Sequence, residues 1–171
     1  MVRSGLTTSF QRRGWVGRNE SLPADSTFDL ISDKPNRWNV QGEPTIYVSG
    51  DPGLALVECG RHPADLEPCV RLFEIDLRIP RAIDLRDAAV RAELSLPADL
   101  HWILHRYRTQ EVGRSLRRSR RCDGLIVPSA GALDGPDRYN VVVFADDPAR
   151  VPELVAGLRA VGELRLEVVG P

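Results

Sequence analysis

The chain has 171 residues, of which 42% are hydrophobic and 27% are charged, values that are ordinary for a soluble globular protein. A chain of this length can bury one hydrophobic core, so a single domain is predicted. The formal net charge of −1 gives no electrostatic reason to expect a nucleic-acid or membrane partner. No segment approaches the ~18 consecutive apolar residues of a transmembrane helix.

The cysteines and the opening residues bear on the compartment of the protein. Cys59, Cys69 and Cys122 are odd in number and follow no metal-ligand spacing, so we interpret them as reduced thiols and expect no metal. The first residues lack the basic start and apolar core of a signal peptide. The sequence therefore predicts a cytoplasmic protein.

The first part of the chain is the least regular in its pattern. Residues 1–35 are polar, are interrupted by glycine and proline, and show little periodicity. We predict a partly irregular N-terminal region that packs on the core through Phe10 and Trp15. Residues 36–171 carry the regular patterns and are predicted to complete the same domain.

A turn and a strand are predicted next. Residues 40–44 indicate a turn, because Gly42 permits positive φ and Pro44 fixes φ and cannot continue a hydrogen-bonded ladder. Residues 45–49 are rich in β-branched and aromatic side chains, which predicts a strand.

A short helix follows in the prediction. Asp51, followed by proline, is a helix-start signal, because its side chain can accept from the first turn. Leu54 and Glu58 are four residues apart and share one face of that helix. A carboxylate on an apolar face has to be paired or hydrogen-bonded. Two interpretations of Glu58 follow: a structural ion pair, for instance with Arg37 or Arg61, or a functional carboxylate.

The middle of the chain mixes strand and helix patterns. Residues 70–77 alternate apolar and polar, which predicts a half-exposed strand, and residues 82–85 predict a further extended piece. Asp87 predicts the cap of a helix over residues 88–94. A longer helix is predicted within residues 97–121.

Seven arginines lie from Arg106 to Arg121 in this longer helix. A solvated helix face that is balanced by acidic residues elsewhere explains them. A patch that binds phosphate or an acidic partner explains them as well.

The last third of the chain predicts three strands and one helix. Residues 125–127 predict a buried strand, residues 131–138 a polar loop, and residues 141–144 another core strand. Residues 146–162 predict a helix that begins at an aspartate–proline signal and ends at a glycine. Residues 164–168 alternate and predict a closing strand.

Three separate motifs resemble the RES domain, a family named for its arginine, glutamate and serine. The resemblance runs from about residue 36 to residue 145 and keeps the motifs in the family's order, which is far more specific than any one motif. The motifs are Arg37-Trp38-Asn39 with Gly-x-Pro-x-x-Tyr-x-Ser and Ala-Leu-x-Glu before His62, Asp123-Gly124-Leu125-Ile126-Val127-Pro128-Ser129, and Asn140-Val141-Val142-Val143-Phe144.

The resemblance implies an α+β fold in a single domain, with an ADP-ribosyltransferase-like split β-sheet core and flanking helices. It implies that residues 36–171 form a catalytic domain that binds NAD as a substrate, without a metal. The family's early strand usually carries another arginine for the nucleotide, for which Arg12, Arg13 and Arg18 are the candidates. The partner it implies is an antitoxin, typically a helix-turn-helix protein, that blocks the cleft. A homo-oligomer stays open.

The resemblance also assigns chemistry to individual residues. Cleavage of the nicotinamide–ribose bond passes through a cation that resembles an oxocarbenium ion, which Glu58 is predicted to stabilise. Arg37 is predicted to bind phosphate or fix the ribose, and Tyr47 to stack on nicotinamide. Ser129 is predicted to hydrogen-bond the nicotinamide amide or the ribose, since no His–acid pair is placed to make it a nucleophile. Asn39 and Asn140 are predicted to position the backbone around the site. Asn39 is also predicted to bind the nucleotide.

Each of these residues also has a purely structural interpretation. Arg37 can stabilise the turn, Tyr47 can be a core aromatic, and Ser129 can cap a short helix. His62 either holds the Glu58 carboxylate or is a structural histidine. Taken together, in family order and spacing, the residues favour a site.

Three functions compete at this stage. The leading one is a toxin that cleaves NAD as a glycohydrolase or a phosphorylase. The second is a protein ADP-ribosyltransferase, which is weakened because Leu56 stands where arginine-modifying transferases carry glutamate or glutamine. The third is a catalytically inactive NAD-binding module, against which the intact Arg37, Tyr47, Glu58 and Ser129 argue.

Overall fold

The computed structural model describes residues 5–19, 26–60, 69–131, 133 and 138–165. Within these residues the strands are β1 Thr8–Asn19, β2 Thr45–Ser49, β3 Cys69–Asp84, β4 Gly124–Pro128, β5 Tyr139–Phe144 and β6 Val155–Arg165. The α-helices are α1 Pro52–Gly60, α2 Ala88–Glu93, α3 Arg106–Ser119 and α4 Val151–Leu154. Short 3₁₀ helices lie at Thr27–Leu30, His101–Leu104 and Pro148–Arg150. None of the helices in these ranges has the length and apolar character needed to cross a membrane.

The six strands form one barrel-like sheet in the order β1-β2-β5-β4-β3-β6. Strand β1 also pairs with β3, from Thr8 opposite Ala82 to Asn19 opposite Val70, so five strands close into a ring. Strand β6 lies outside the ring on the other edge of β3. Only β3 and β4 run parallel among these pairings; the others are antiparallel. The fold is therefore mixed α+β, with α3 packed on the outside of the ring and α4 packed against the cluster inside it.

Two hydrophobic clusters lie on the two faces of the sheet. The cluster inside the ring contains buried side chains of β2, β3, β4 and β5, among them Ile46, Ile75, Ile126 and Val141. Partly buried side chains of β1 pack against it. The cluster outside the ring joins the other faces of β2, β4 and β5 to Trp102 and the α3 region. Because side chains alternate along a strand, the odd-numbered residues of β2 point outward toward the helices.

The predicted strand–helix unit in the first half of the chain is confirmed. Strand β2 covers the predicted residues 45–49, and α1 begins at Pro52 directly after Asp51. The Asp51 carboxylate accepts from the Leu54 backbone N–H at 2.8 Å, as a helix-start residue should. The predicted cap at Asp87 is also confirmed, since its side chain accepts from the Ala89 N–H.

The predicted strands at 70–77 and 82–85 belong to one strand of 16 residues, β3. Pro80 lies within this strand, although proline cannot donate to a hydrogen-bonded ladder. The pairing with β1 shifts register at this point, between Phe10 opposite Ile79 and Thr8 opposite Ala82. The irregularity accommodates the proline, so the strand continues past it.

The described residues among the first 35 are more regular than predicted. Strand β1 takes 12 of them, and Phe10 packs against the inner cluster as expected. Gly14 lies so close to Val48 that a Cβ there would overlap its side chain, and Gly17 is equally close to Cys59. The glycines that suggested irregular structure are therefore positions of close packing.

The predicted helix at 146–162 is wrong. A 3₁₀ turn and the four-residue α4 are followed at once by strand β6, which pairs with β3 from Val155 opposite Leu77 to Arg165 opposite Cys69. The helical spacing of apolar residues is overridden by the open edge of β3, which offers a full ladder of hydrogen bonds. Residues 164 and 165 of the strand predicted at 164–168 are confirmed, since they belong to β6. Residues 166–168 lie outside the described part.

The long helix predicted within residues 97–121 is divided in two. The 3₁₀ helix ends at Leu104, His105 is extended with ψ 95°, and α3 begins at Arg106. The second piece ends at Arg120, which adopts φ 54°. This break brings α3 across the outer face of the sheet, where it meets the loop before β2.

Candidate active site

A carboxylate, a hydroxyl and an amide from distant parts of the chain meet at one end of the barrel. One oxygen of Glu58, on α1, accepts hydrogen bonds from the Ser129 hydroxyl at 3.1 Å and from the Asn140 side-chain amide at 3.2 Å. Ser129 follows β4 and is fully buried, Asn140 is in β5, and Glu58 is half-buried. The structure therefore joins three residues singled out from the sequence, Glu58, Ser129 and Asn140. Asn140 was expected to position the backbone, and its side chain donates directly to Glu58.

A second set of contacts fixes the orientation of these partners. The Ser49 hydroxyl donates to the amide oxygen of Asn140 at 3.0 Å, which leaves the amide nitrogen to donate to Glu58. The Gly131 backbone N–H lies 3.3 Å from the Ser129 hydroxyl oxygen and donates to it. Ser49 and Asn140 are a register pair of β2 and β5, so sheet pairing sets this contact.

The role of Ser49 was missed by sequence reasoning. The serine was visible in the Tyr-x-Ser part of the first motif, but its partner Asn140 is 91 residues away. Only the pairing of β2 with β5 shows that one orients the other.

Tyr47 lies two residues before Ser49 on the same outer face of β2. Its hydroxyl donates to the Asn39 side-chain oxygen at 2.8 Å and accepts from the Trp38 backbone N–H at 2.9 Å. Burial raises the pKa of the Tyr47 phenol, so the group is neutral and keeps its proton for this bond. Tyr47 thus connects the strand to the loop that carries Arg37.

Asn39 is fully buried and its side chain is bonded within the protein. The amide nitrogen donates to the carbonyls of Lys34, Val40 and Glu43, and the oxygen accepts from Tyr47. A nucleotide contact through this side chain would have to replace one of these bonds. The structure places Asn39 as the residue that holds the loop together.

Arg37 lies in the loop before β2 and contacts the helical elements that follow α2. Its guanidinium donates to the Ile103 carbonyl at 2.7 Å, and the side chain is half-buried. The Arg37 carbonyl accepts from the Thr109 hydroxyl of α3 at 2.6 Å. Arg37 is therefore held by α3 and the 3₁₀ helix before it, whereas Glu58 lies on a different helix, α1.

The structure separates the three early arginines. Arg18 is half-buried, donates to the Asp29 carbonyl, and lies near the thiol of Cys59, the neighbour of Glu58. Burial lowers the pKa of its guanidinium. Arg12 and Arg13 are instead exposed on the other half of β1. Arg18 is thus the early arginine that lies beside α1.

Arg12 and Arg13 line a cavity of about 920 Å³ at the end of the barrel that also holds the Glu58 cluster. The cavity also contacts Tyr139, over whose ring the Arg86 guanidinium lies at 4.4 Å, and Arg86 is itself paired with Asp84 at 2.7 Å. Because Tyr139 and Asn140 are consecutive in β5, this cavity and the Glu58 cluster are on opposite faces of one strand.

Cys59, next to Glu58, and Cys122 are free thiols, whereas the side chain of Cys69 lies outside the described part. Burial raises the pKa of the Cys59 thiol, and the charge of Glu58 raises it further. The same burial effect raises the pKa of Cys122 to about 12. Both side chains are therefore protonated and poor nucleophiles. His62 lies outside the described residues.

The seven arginines from residue 106 to residue 121 fall into two groups: two that make ion pairs within the protein and five that are exposed. Arg117 is buried, pairs with Asp146 at 2.6 Å and lies over the Phe144 ring, and Arg114 pairs with Glu43 at 3.4 Å. The exposed arginines of the set are Arg106, Arg108, Arg118, Arg120 and Arg121.

Asp123, from the second motif, lies at the other end of the barrel. Its buried carboxylate accepts from Arg81 at 2.6 Å and from Arg150 at 2.8 Å. Burial by itself would raise the pKa of Asp123, but the bonds from Arg81 and Arg150 outweigh it and lower the pKa. The aspartate of the motif is therefore a structural anchor for β3, β4 and α4.

Comparison with known proteins agrees with the motifs. The profile of the RES domain matches residues 16–165. Comparison with curated proteins gives no match. The fold is similar to a chain in the crystal structure of the M. tuberculosis MbcT–MbcA toxin–antitoxin complex, with a TM-score of 0.66 at 20% identity, over 94% of this chain and 86% of that chain. Because the family profile covers most of its length, this chain belongs to the RES domain family.

Proposed function

We propose that this RES protein is the toxin of a toxin–antitoxin pair and that it cleaves the nicotinamide–ribose bond of NAD. Two findings support the toxin class: the family of the chain, and its likeness in fold to a chain of a toxin–antitoxin complex. The observation that carries the chemistry is the Glu58 carboxylate, held by the Ser129 hydroxyl and the Asn140 amide.

The proposed reaction needs a fixed negative charge beside the ribose. Departure of neutral nicotinamide leaves positive charge on the ribose ring, and a carboxylate near it lowers the free energy of that transition state. Ser129 and Asn140 are neutral donors, so they orient Glu58 without cancelling its charge. Such preorganisation is the property that an electrostatic catalyst requires.

The remaining substrate would lie along the outer face of β2. Tyr47 and Ser49 share that face, and Arg37 approaches it from the helical side. We assign Arg37 and Arg18 to the diphosphate and Tyr47 to the nicotinamide ring, since guanidinium groups match phosphate geometry and an aromatic ring offers a stacking surface. Ser129 donates to Glu58, which suits a positioning group rather than a nucleophile.

The cleft itself would open where β1 and β2 separate. The two strands share one register pair, Trp15 opposite Ser49, although β1 continues for four residues beyond Trp15. This divergence supports the proposal of an ADP-ribosyltransferase-like split sheet.

The test is the release of free nicotinamide from NAD by the purified protein and by Glu58→Gln, with and without phosphate. We expect release by the wild type and a loss of about 100-fold or more in the variant, the scale of removing a transition-state electrostatic group. Dependence on phosphate would indicate a phosphorylase, and independence a glycohydrolase.

Mass analysis of the protein after the reaction separates the remaining outcomes. An unmodified protein together with Glu58-dependent release supports cleavage to a small acceptor. An added ADP-ribose would instead indicate a protein ADP-ribosyltransferase. No release by a folded wild type that binds NAD would overturn the proposed activity.

A further inference from the structure

Helix α3 reaches the loop that carries Arg37 through backbone carbonyls. The Thr109 hydroxyl donates to the Arg37 carbonyl at 2.6 Å. One residue further along, the Gln110 amide donates to the Asn36 carbonyl at 2.7 Å and to the Asn39 carbonyl at 3.1 Å. The three acceptors all lie within the loop of residues 35–40, so side chains of α3 hold the main chain of that loop.

Gly113 brings the helix into direct contact with the same loop. A Cβ at this position would lie well inside van der Waals contact with the Trp38 carbonyl oxygen. Glycine weakens a helix interior relative to alanine, so its presence here is explained by the close approach of α3 to the loop.

The loop is held on its other side by the sheet. Tyr47 of β2 accepts from the Trp38 N–H and donates to Asn39, while Trp38 packs edge-on against Trp102 with ring centres 5.8 Å apart. The loop is thus fixed between α3 and β2, and the Arg37 guanidinium extends from it to the Ile103 carbonyl.

Thr109 does more than a threonine within a helix usually does. Its hydroxyl also lies 2.9 Å from the Arg106 carbonyl of its own helix, which is ordinary back-bonding. The contact with Arg37 is shorter and joins residues 72 apart, and Thr109 is fully buried. An unsatisfied Arg37 carbonyl at this position would carry a desolvation cost.

We infer that Thr109 and Gly113 are positioning residues that set the place of Arg37 in the NAD site. Neither side chain is assigned to substrate: Thr109 acts through the Arg37 carbonyl and Gly113 by allowing α3 to approach. The assignment of Arg37 to NAD rests on the proposed function, whereas the restraint on the loop does not.

The test compares Thr109→Val, Thr109→Ser and Gly113→Ala with Ser115→Ala, an exposed control on the same helix. Thr109→Val keeps the shape and removes the hydroxyl, so the KM for NAD should rise about tenfold while kcat changes less. Thr109→Ser should restore the wild-type KM. Gly113→Ala should raise KM as well, although alanine is the better helix former.

An Arg37→Gln background decides whether Thr109 acts through Arg37. In that background Thr109→Val should add no further rise in KM, because the group it positions is already gone. The same fold-rise in both backgrounds, or an unchanged KM in Thr109→Val alone, would overturn the inference.

Amide hydrogen exchange tests the restraint without relying on catalysis. In Thr109→Val the amides of residues 36–40 should exchange about tenfold faster, with the strand β4 amides unchanged. Unchanged exchange in the loop would overturn the inference even if NAD is cleaved. If the wild type releases no nicotinamide, the proposed function fails, and the exchange result still decides whether α3 positions the loop.

Discussion

At the scale of single residues, the proposed activity depends on how the Glu58 carboxylate is held. Its partners Ser129 and Asn140 are 71 and 82 residues away in sequence, and both are neutral donors. Because these two donors carry no charge, they orient the carboxylate without neutralising it. Arg61, one of the cations considered from the sequence, lies outside the described residues.

Ser129→Ala is predicted to lower nicotinamide release without unfolding the protein. The change removes the hydroxyl that donates to Glu58, and the loss of one such hydrogen bond corresponds to about 1–1.5 kcal/mol, or roughly a tenfold decrease in kcat/KM. Steady-state release of nicotinamide at saturating and limiting NAD measures it. A decrease larger than that of Glu58→Gln would contradict the positioning role and indicate that Ser129 itself reacts.

Asp123 is predicted to make stability depend on acid pH. Its pKa is lowered in the folded protein, so its contribution is present above the unfolded pKa of about 4 and is lost as the pH falls through the folded pKa. Asp123→Asn should cost roughly 1–3 kcal/mol at neutral pH, a range reduced because Arg81 and Arg150 remain partly exposed.

Urea unfolding at pH 7 and near pH 3 measures this prediction. The difference between the wild type and Asp123→Asn should shrink at the lower pH, because the Asp123 carboxyl of the unfolded wild type then binds a proton. Glu153→Gln, at a side chain that is 72% exposed, is the matched control and should stay within about 0.5 kcal/mol of the wild type. A constant difference across this pH range would contradict the assignment.

At the scale of elements, long-range strand pairing corrected the local patterns. Strand β1 has a sequence broken by Gly14 and Gly17, and β6 has helical spacing of its apolar residues. Both became strands because the two edges of β3 were available to pair with them. Elements with a clear local signal, such as β2 and α1, matched their predictions.

Gly14→Ala is predicted to destabilise the protein by about 1–3 kcal/mol through overpacking. The new methyl group would overlap the Val48 side chain, which is β-branched, buried and limited in the rotamers it can adopt. Gly162→Ala in β6 is the matched control, because no atom lies within 4 Å of a Cβ there. Urea midpoints of the two variants give the comparison, and equal stabilities would contradict the close packing of β1 on β2.

At the scale of the whole molecule, the candidate active site and the Asp123 ion-pair cluster lie at opposite ends of the barrel. Glu58 lies at the end where β2 and β4 finish, and the Asp123 cluster lies at the opposite end, beside a cavity of about 730 Å³. Changes at Asp123 should therefore act on stability, and changes at Glu58 on activity.

Expression of the protein alone is predicted to arrest bacterial growth, because NAD consumption affects the host that makes the enzyme. Glu58→Gln, produced in equal soluble amount, should permit normal growth, and an antitoxin that covers the cleft should protect cells from the wild type. Colony counts after induction measure both outcomes. Equal growth of cells that make the wild type and Glu58→Gln would show that the protein is not a toxin of this kind.

The sequence by itself determined the features that depend on neighbouring residues. The turn before β2, the start of α1 at Asp51 and the alternation of β3 follow from local backbone and side-chain preferences, and the ordered motifs indicated the RES family that the profile shows. Only the tertiary structure decided the closure of the ring, the strand β6, and the contacts of Glu58 with Ser129 and Asn140. The physical reason is that these features depend on which strand edges meet, and that choice joins residues far apart in the chain.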